Sequence, residues 1–322
     1  MVPSRARWSA TPQLFERRGV IRLAFLGSAA VSAECLGALQ RAGHEIALVV
    51  TEPDKRRGRG GALVPTPVKV AATELGLATT DRVEDVTGAM VELGVVVAFG
   101  RLIKPEVLDL VPMVNLHFSL LPRWRGAAPV ERAILAGDIH TGVCLMKVEA
   151  GLDTGGVYGR VETEIGPDET ADELRERLGV LGTDLLVDRL RLGVESLGEP
   201  VPQEGESTYA AKLSVEDLRL DFRRRAPDLE RIVRAGRAWT TWRGARLLVH
   251  RARVEPADIG ENEPGRIVDG RVATAEGWFE PLEVQGEGRR RQSFAEWLRG
   301  ARPSHDDRLG LDPVVGPGDT VS

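Results

Sequence analysis

Ile21-Arg22-Leu23-Ala24-Phe25-Leu26-Gly27 reads as a short strand that is apolar on both faces. Residues 32–42 then carry apolar side chains at helical spacing, and Gly43 supplies the stop. Glu45-Ile46-Ala47-Leu48-Val49-Val50 is a second strand. A strand, a helix and a strand in so few residues form a β-α-β unit, which requires a parallel pair and a right-handed crossover. The fold class follows: α/β, with a mostly parallel sheet. Gly27 stands where a dinucleotide fingerprint would begin, but Gly27-Ser28-Ala29-Ala30-Val31-Ser32 lacks the second and third glycines. A nicotinamide cofactor is therefore disfavoured.

The alternation continues outward. Residues 68–77 are predicted helical, and Val95-Val96-Val97-Ala98-Phe99 is apolar on both sides, as a central parallel strand is. Residues 105–110 form a short helix, and 114–117 form the next strand. In open α/β sheets the chemistry sits at the carboxyl ends of such strands. Residues 130–136 are predicted as helix and 141–149 as strand. A long helix over 170–192 opens on a capping box made by Thr170 and Glu173. Residues 199–208 are polar, contain Pro200 and Pro202, and read as a linker. Beyond them come a helix over 226–238 and short strands at 245–254, 265–267, 271–273 and 280–284. Short strands with turn signals between them point to a small β-barrel of OB type.

Composition narrows the function classes. The 322 residues are 42% hydrophobic and 28% charged, the balance of a soluble globular protein with room for two domains. No apolar run approaches the roughly 20 residues that span a bilayer. Residues 1–20 carry Arg5, Arg7, Arg17 and Arg18 but no apolar core, so they read as a disordered tail and not a secretory signal. Cys35 and Cys144 are the only cysteines, nothing points to an oxidising compartment, and a cytoplasmic location is expected. Five scattered histidines give no metal-ligand spacing, so no metal is expected. A net charge of −5 excludes a protein basic all over, while leaving room for a basic face.

Two short stretches carry chemistry. In Asn115-Leu116-His117 strand alternation puts an amide and an imidazole on one side. Asn115 can donate to an oxygen gaining charge, and His117 can exchange a proton near neutral pH. Taken alone, a histidine at a strand end is more often structural, and the Asn could be a turn residue. Gly151-Leu152-Asp153-Thr154-Gly155 is a turn by composition, and it offers a carboxylate able to orient and charge-stabilise the imidazole.

Residues 52–67 hold four cations (Lys55, Arg56, Arg57 and Arg59), three glycines within four positions and three prolines. They read as a long loop without regular structure, either solvated or able to order on a phosphate backbone. Between 214 and 254 eleven Arg stand against five acids, with Trp239 and Trp242 interleaved, a composition suited to tracking nucleic acid or to solvating a surface.

Asn115-x-His117-x-Ser119-Leu120-Leu121-Pro122, with Gly-Leu-Asp-Thr-Gly downstream, resembles the signature of the formyltransferases that use 10-formyltetrahydrofolate. Its continuation, Arg123-Trp124-Arg125-Gly126-Ala127-Ala128-Pro129, resembles the members that act on methionyl-tRNA, and Thr208-Tyr209-Ala210-Ala211-Lys212 resembles their domain junction. The resemblance covers about 21–307. It implies a Rossmann-like formyltransferase domain over 21–204, a linker at 205–215, an OB-like tRNA-binding domain over 216–310 and a tail from 311. It implies catalysis by Asn115, His117 and Asp153, and a folate wall from Ser119, Leu120, Leu121 and Pro122. The basic loop, with Lys55, Arg56 and Arg57, would enter the acceptor stem of initiator methionyl-tRNA, and Arg59 aligns with the arginine that reads the stem's end. The protein would act as a monomer. Two other readings stay open here: a formyltransferase or hydrolase of the same core acting on another substrate, and a non-catalytic RNA-binding protein on that scaffold.

Overall fold

The computed structural model describes residues 19–57 and 61–310. The tails expected at 1–20 and 311–322 lie, save for Gly19 and Val20, outside the described residues.

In chain order the elements are β1 (Arg22–Gly27), α1 (Ala30–Arg41), β2 (Glu45–Val50), β3 (Lys55–Arg57), β4 (Ala62–Val64), α2 (Pro67–Glu74), β5 (Thr79–Thr80), β6 (Leu93–Val97), α3 (Pro105–Leu108) and β7 (Met113–His117). There follow β8 (Arg125–Gly126), α4 (Pro129–Ala136), β9 (His140–Lys147), β10 (Val157–Glu164), α5 (Ala171–Leu190) and β11 (Tyr209–Ala210). The remainder is α6 (Ala226–Ala235), β12 (Ala238–Trp242), β13 (Ala245–Glu255), β14 (Ile267–Val268), β15 (Arg271–Ala273), β16 (Trp278–Gly286), β17 (Gln292–Ser293) and α7 (Phe294–Ala301).

The main sheet runs β10-β9-β7-β6-β1-β2-β5. β1 pairs in parallel with both β2 and β6, and β6 with β7, as the β-α-β pattern requires. β9 then lies antiparallel to β7. Gly27 proves to be a packing glycine. A Cβ there would meet Ser32 Cβ at 2.7 Å and Val97 O at 2.8 Å, and Ser32 Oγ donates to that same Val97 oxygen at 2.7 Å. The sheet's buried face joins Ala24, Leu26, Val50, Val96 and Met113 with Phe99 and Ile103 from the connections. Both cysteines are buried and free, and burial pushes the Cys35 thiol up to about 11, which leaves it inert.

One expectation is corrected. The segment 52–67 is not irregular: β3 and β4 pair as an antiparallel hairpin in the register Lys55↔Val64, Arg56↔Leu63, Arg57↔Ala62. Its feet are tied down by short polar side chains. Glu52 N donates to Ser28 Oγ at 3.1 Å, Thr51 and Thr66 hydroxyls lie 2.7 Å apart, and Thr66 Oγ1 caps α2 by accepting from Lys69 N. These bonds hold the two ends of the segment together, so the chain between them pairs with itself.

The chain divides into two compact units that interleave along the sequence. One comprises the described residues up to Pro122 with Val143–Val161 and Leu178–Gly205. The other comprises Arg123–Gly142 and Glu162–Arg177 together with the described residues from Glu206 on. The core of this second unit is an antiparallel sheet, β12-β13-β16-β15-β14, with β17 on β16. Leu229, Ile232 and Val233 of α6 pack on it, with Phe279, Phe294 and Trp297, and Leu135 of α4 covers its side.

Two stretches far apart in sequence are sewn together inside this second unit. β8 pairs in parallel with β11, Trp124 N donates to Thr208 Oγ1 at 2.8 Å, and Ala127 N and Ala128 N both donate to Ala210 O. Gly126 sits at φ +115°, and a Cβ on it would meet the Tyr209 ring at 2.7 Å. Arg132 of α4 donates from Nε to Ala211 O and forks onto both oxygens of Asp217 at 3.1 and 3.2 Å.

Asp217 also accepts from Ser214 N and Oγ at 2.8 Å each. The Ser214 backbone N–H, with the Arg132 guanidinium behind it, holds its carboxyl at about 2 against an ordinary 3.8. A carboxylate depressed in the folded state adds stability above its unfolded value, and that contribution is lost as pH falls through the folded one. Asp217→Asn should therefore lower the melting temperature at neutral pH. The gap to the wild type should close between about pH 4 and about pH 2. A gap constant across that window would show that the carboxylate is not paired in the folded state.

Candidate active site

The site is built at the carboxyl end of β7. This strand is flanked by β6 and β9, and its register sets Asn115 opposite Met146 and His117 opposite Cys144. Positions two apart on a strand share a face, so the amide and the imidazole stand on the same side. Asn115 is half-buried and His117 is 5% exposed, so the ring is held in packed surroundings.

Asp153 is delivered by the turn between β9 and β10. It adopts a left-handed conformation at φ +51°, a region that Asp tolerates better than most residues because its short polar side chain can bond locally. The flanking glycines have separate reasons. A Cβ on Gly155 would lie 2.0 Å from Lys147 O, and one on Gly151 would lie 2.4 Å from Thr154 Oγ1. Gly155 is thus pressed on the end of β9, while Gly151 leaves room for the Thr154 side chain of the turn itself. The outcome is a carboxylate aimed at the imidazole, with His117 Nδ1 3.6 Å from Asp153 Oδ2. That is ion-pair range and slightly long for a hydrogen bond, a separation that can tighten when the ring becomes charged. Asp153 is 14% exposed at its side chain, so the pair is shielded from most solvent.

After His117 the chain turns through Phe118 and Ser119, both buried, and reaches Pro122 through a cis Leu121–Pro122 bond. Leu121 packs with Cys144, Met146 and Val157 in a small cluster of its own. Its side chain therefore belongs to the core. What 120–122 can present to a ligand is backbone together with the half-buried Leu120 and Pro122.

The basic hairpin follows β2, and β2 runs parallel to β1 in the sheet that carries β7. It thus leaves the sheet at the same carboxyl edge as His117. Lys55 and Arg56 are exposed there, Lys55 paired with Glu52 and Arg56 Nη1 donating to Gly61 O at 3.0 Å. Arg57 closes β3, and Arg59 lies outside the described residues. No group of three His, Cys, Asp or Glu able to hold a metal ion occurs among the described residues. Among those residues, too, no helix is long and apolar enough to cross a membrane.

Comparison with known proteins decides the family. Residues 21–190 match the formyl transferase model and residues 212–302 match the formyl transferase C-terminal domain model. The chain is 43% identical over 311 residues to a methionyl-tRNA formyltransferase of Thermus thermophilus, covering 90% of this chain and 99% of that protein. It is 40% identical over 310 residues to that of Solibacter usitatus, with the same coverage. The chain belongs to the methionyl-tRNA formyltransferase family. It is a formyltransferase enzyme, and the expectation drawn from the Asn-x-His and Gly-Leu-Asp-Thr-Gly stretches holds.

Solved structures agree on the fold. An N-formyltransferase from Helicobacter canadensis, crystallised with folinic acid and dTDP-3-aminofucose, superposes with a TM-score of 0.64 at 16% identity, over 83% of this chain and all of that one. HypX from Aquifex aeolicus in complex with tetrahydrofolic acid gives 0.58 at 18% identity, over 87% of this chain and 47% of that one.

One residue that touches the candidate site gave no signal in the sequence. Gln203, in the stretch read as a linker, donates from Nε2 to Asp153 O and to Gly155 O, both at 2.8 Å. A long-range side-chain bond of this kind follows no local period, so composition and spacing could not find it.

Proposed function

We propose that the chain transfers the formyl group of 10-formyltetrahydrofolate to the α-amine of methionyl initiator tRNA, giving tetrahydrofolate and N-formylmethionyl-tRNA. The observation that carries this reading is the His117–Asp153 pair beside Asn115 at the end of β7, in a chain of this family.

The amine attacks the formyl carbon as free base, and a tetrahedral centre forms that bears O⁻ and a developing ammonium. Asn115 donates to the O⁻, a contact whose loss typically costs ~10²–10³ in rate. His117 takes the proton released as the new C–N bond forms. With Nδ1 turned to Asp153, the exchange falls to Nε2, and the carboxylate supports the charged ring. Collapse of the centre breaks the bond to N10 of the folate, which takes the proton back from His117 and leaves as the neutral amine. Ser119, Leu120, Leu121 and Pro122 form the folate side, largely through backbone groups, and the reading uses no metal.

The tRNA is held by the basic hairpin, with Lys55, Arg56, Arg57 and Arg59 on the acceptor stem, and by the arginine-rich sheet of the second unit. Arg251 and Arg253 are exposed on β13, and Arg246 lies over the Trp239 ring at 4.2 Å. Guanidinium and indole together form a surface that can follow a phosphate backbone. The enzyme acts as a monomer in the cytoplasm.

The test is formylation of charged initiator and elongator methionyl-tRNA by the purified protein, with glycinamide ribonucleotide and a nucleotide-linked amino sugar as competing acceptors. The initiator is expected to be strongly preferred over every other acceptor. Preference for a small amine, or no transfer to any acceptor, would overturn the assignment.

A further inference from the structure

The arrangement around Gln203 goes beyond the three catalytic groups. Residues 200–203 form a short strap on the first unit. Val201 makes an antiparallel bridge with Val157, with Val157 N donating to Val201 O at 2.8 Å and Val201 N to Val157 O at 2.9 Å. Pro200 presses on Gly156, where a Cβ would meet Pro200 Cβ at 2.9 Å and Val201 O at 3.1 Å. Val201 stays 59% exposed, whereas Gln203 turns inward and is half-buried. Its single amide nitrogen carries two hydrogens, and both are used, on the carbonyls of Asp153 and Gly155.

Those two carbonyls bracket the turn that aims the catalytic carboxylate. The direction of the Asp153 carbonyl is set by ψ of Asp153, a residue already in the left-handed region, and that of Gly155 by the next peptide but one. Clamping both fixes the peptide planes 153–154 and 155–156, on either side of the Thr154–Gly155 pair. The Asp153 side chain leaves from the first of these planes towards His117 Nδ1. Without the clamp both carbonyls turn to water, and the peptide after Asp153 can rotate.

We infer that Gln203 is a positioning residue for the reaction: its amide holds the turn whose carboxylate supports the His117 proton acceptor. The inference rests on the proposed chemistry of Asp153. It predicts that an element outside the signature stretches governs turnover and not substrate affinity.

The test uses the full-length enzyme with Gln203→Ala and Gln203→Glu. The second variant keeps the size of the side chain and cannot donate. Both should lose roughly 10–100-fold in kcat, the scale of a small misplacement of a catalytic group. KM for 10-formyltetrahydrofolate should stay within about twofold, because the wall at 119–122 is untouched. The acid limb of kcat/KM should move towards that of Asp153→Asn. In an Asp153→Asn background Gln203→Ala should cost no more than about a further twofold, because residues acting as one unit are not additive. Wild-type turnover in Gln203→Glu overturns the inference. So does a loss of equal size with and without the Asp153 carboxylate, which would mark Gln203 as generic support for the fold. Full activity in Asp153→Asn alone is a separate outcome and removes the underlying mechanism as well.

Discussion

Asp153→Asn is expected to keep its fold and its folate affinity while losing roughly 10³–10⁴ in kcat. The replacement is nearly isosteric. Asn also tolerates, as Asp does, the left-handed conformation that Asp153 holds at φ +51°. The clamp by Gln203 engages backbone carbonyls only, so it survives the change. What disappears is the negative charge 3.6 Å from Nδ1 of an imidazole that is itself 5% exposed. In such surroundings little solvent is available to take over the support of an imidazolium, so the proton transfer bears most of the loss. A melting curve, a folate titration and single-turnover formylation of methionyl-tRNA check the three parts separately. Turnover near that of the wild type would take Asp153 out of the mechanism.

Cutting the chain after Gly205 is expected to abolish cooperative folding of the remaining fragment's segment 123–142. That segment belongs to the unit whose core begins at Leu220, and it would lose its partners from residue 206 on, keeping only those in 162–177 such as Arg175 on Glu131. Trp124 N, Arg125 N, Ala127 N and Ala128 N all donate to residues 208–210. At a net ~0.5–1.5 kcal/mol for each bond, these four alone contribute about 2–6 kcal/mol. A typical domain has only about 5–15 kcal/mol in total. The cut also removes Ala211 O and Asp217 from Arg132, and the core against which Leu135 packs. Urea unfolding followed by tryptophan fluorescence, with Trp124 as reporter, should show a broad transition in the fragment ending at 205. A fragment ending at 212 keeps the four backbone bonds and should recover part of the cooperativity. A sharp, single transition in the shorter fragment would show that 123–142 stands without the later chain.

Much of this was legible in the sequence, for physical reasons that differ by element. β1, α1, β2, β6 and β7 are apolar runs of ordinary length punctuated by Gly, so period and breaker agree on each. His117 and Asn115 were legible because a strand's alternation ties position to face. Asp153 was legible as a turn residue, and its pairing with His117 was expected only once the stretch was set beside the formyltransferase signature. The β3–β4 hairpin was hidden by its own Arg and Gly content, which reads as loop whether or not the backbone pairs. β10 escaped notice because its middle is Gly159, Arg160 and Glu162, with one face left to solvent. α7 follows directly on an arginine run, and its capping box of Ser293 and Glu296 had too few residues after it to show a period. The pairing of Arg125–Gly126 with Tyr209–Ala210 was beyond reach, because two-residue strands have no pattern and their register is set by tertiary packing.

The interleaving of the two units also bears on how this enzyme is made. A ribosome adding about 5–20 residues per second delivers the α6 surface roughly 5–18 s after α4, since some 90 residues separate them. Through that interval β1, β2, β6 and β7 can already assemble, whereas Leu135 and the backbone donors of 124–128 wait in water for a partner not yet synthesised. The nascent chain therefore carries an open seam in the middle of its catalytic sequence. That seam can close only once residues 208–235, which carry its partners, have been made.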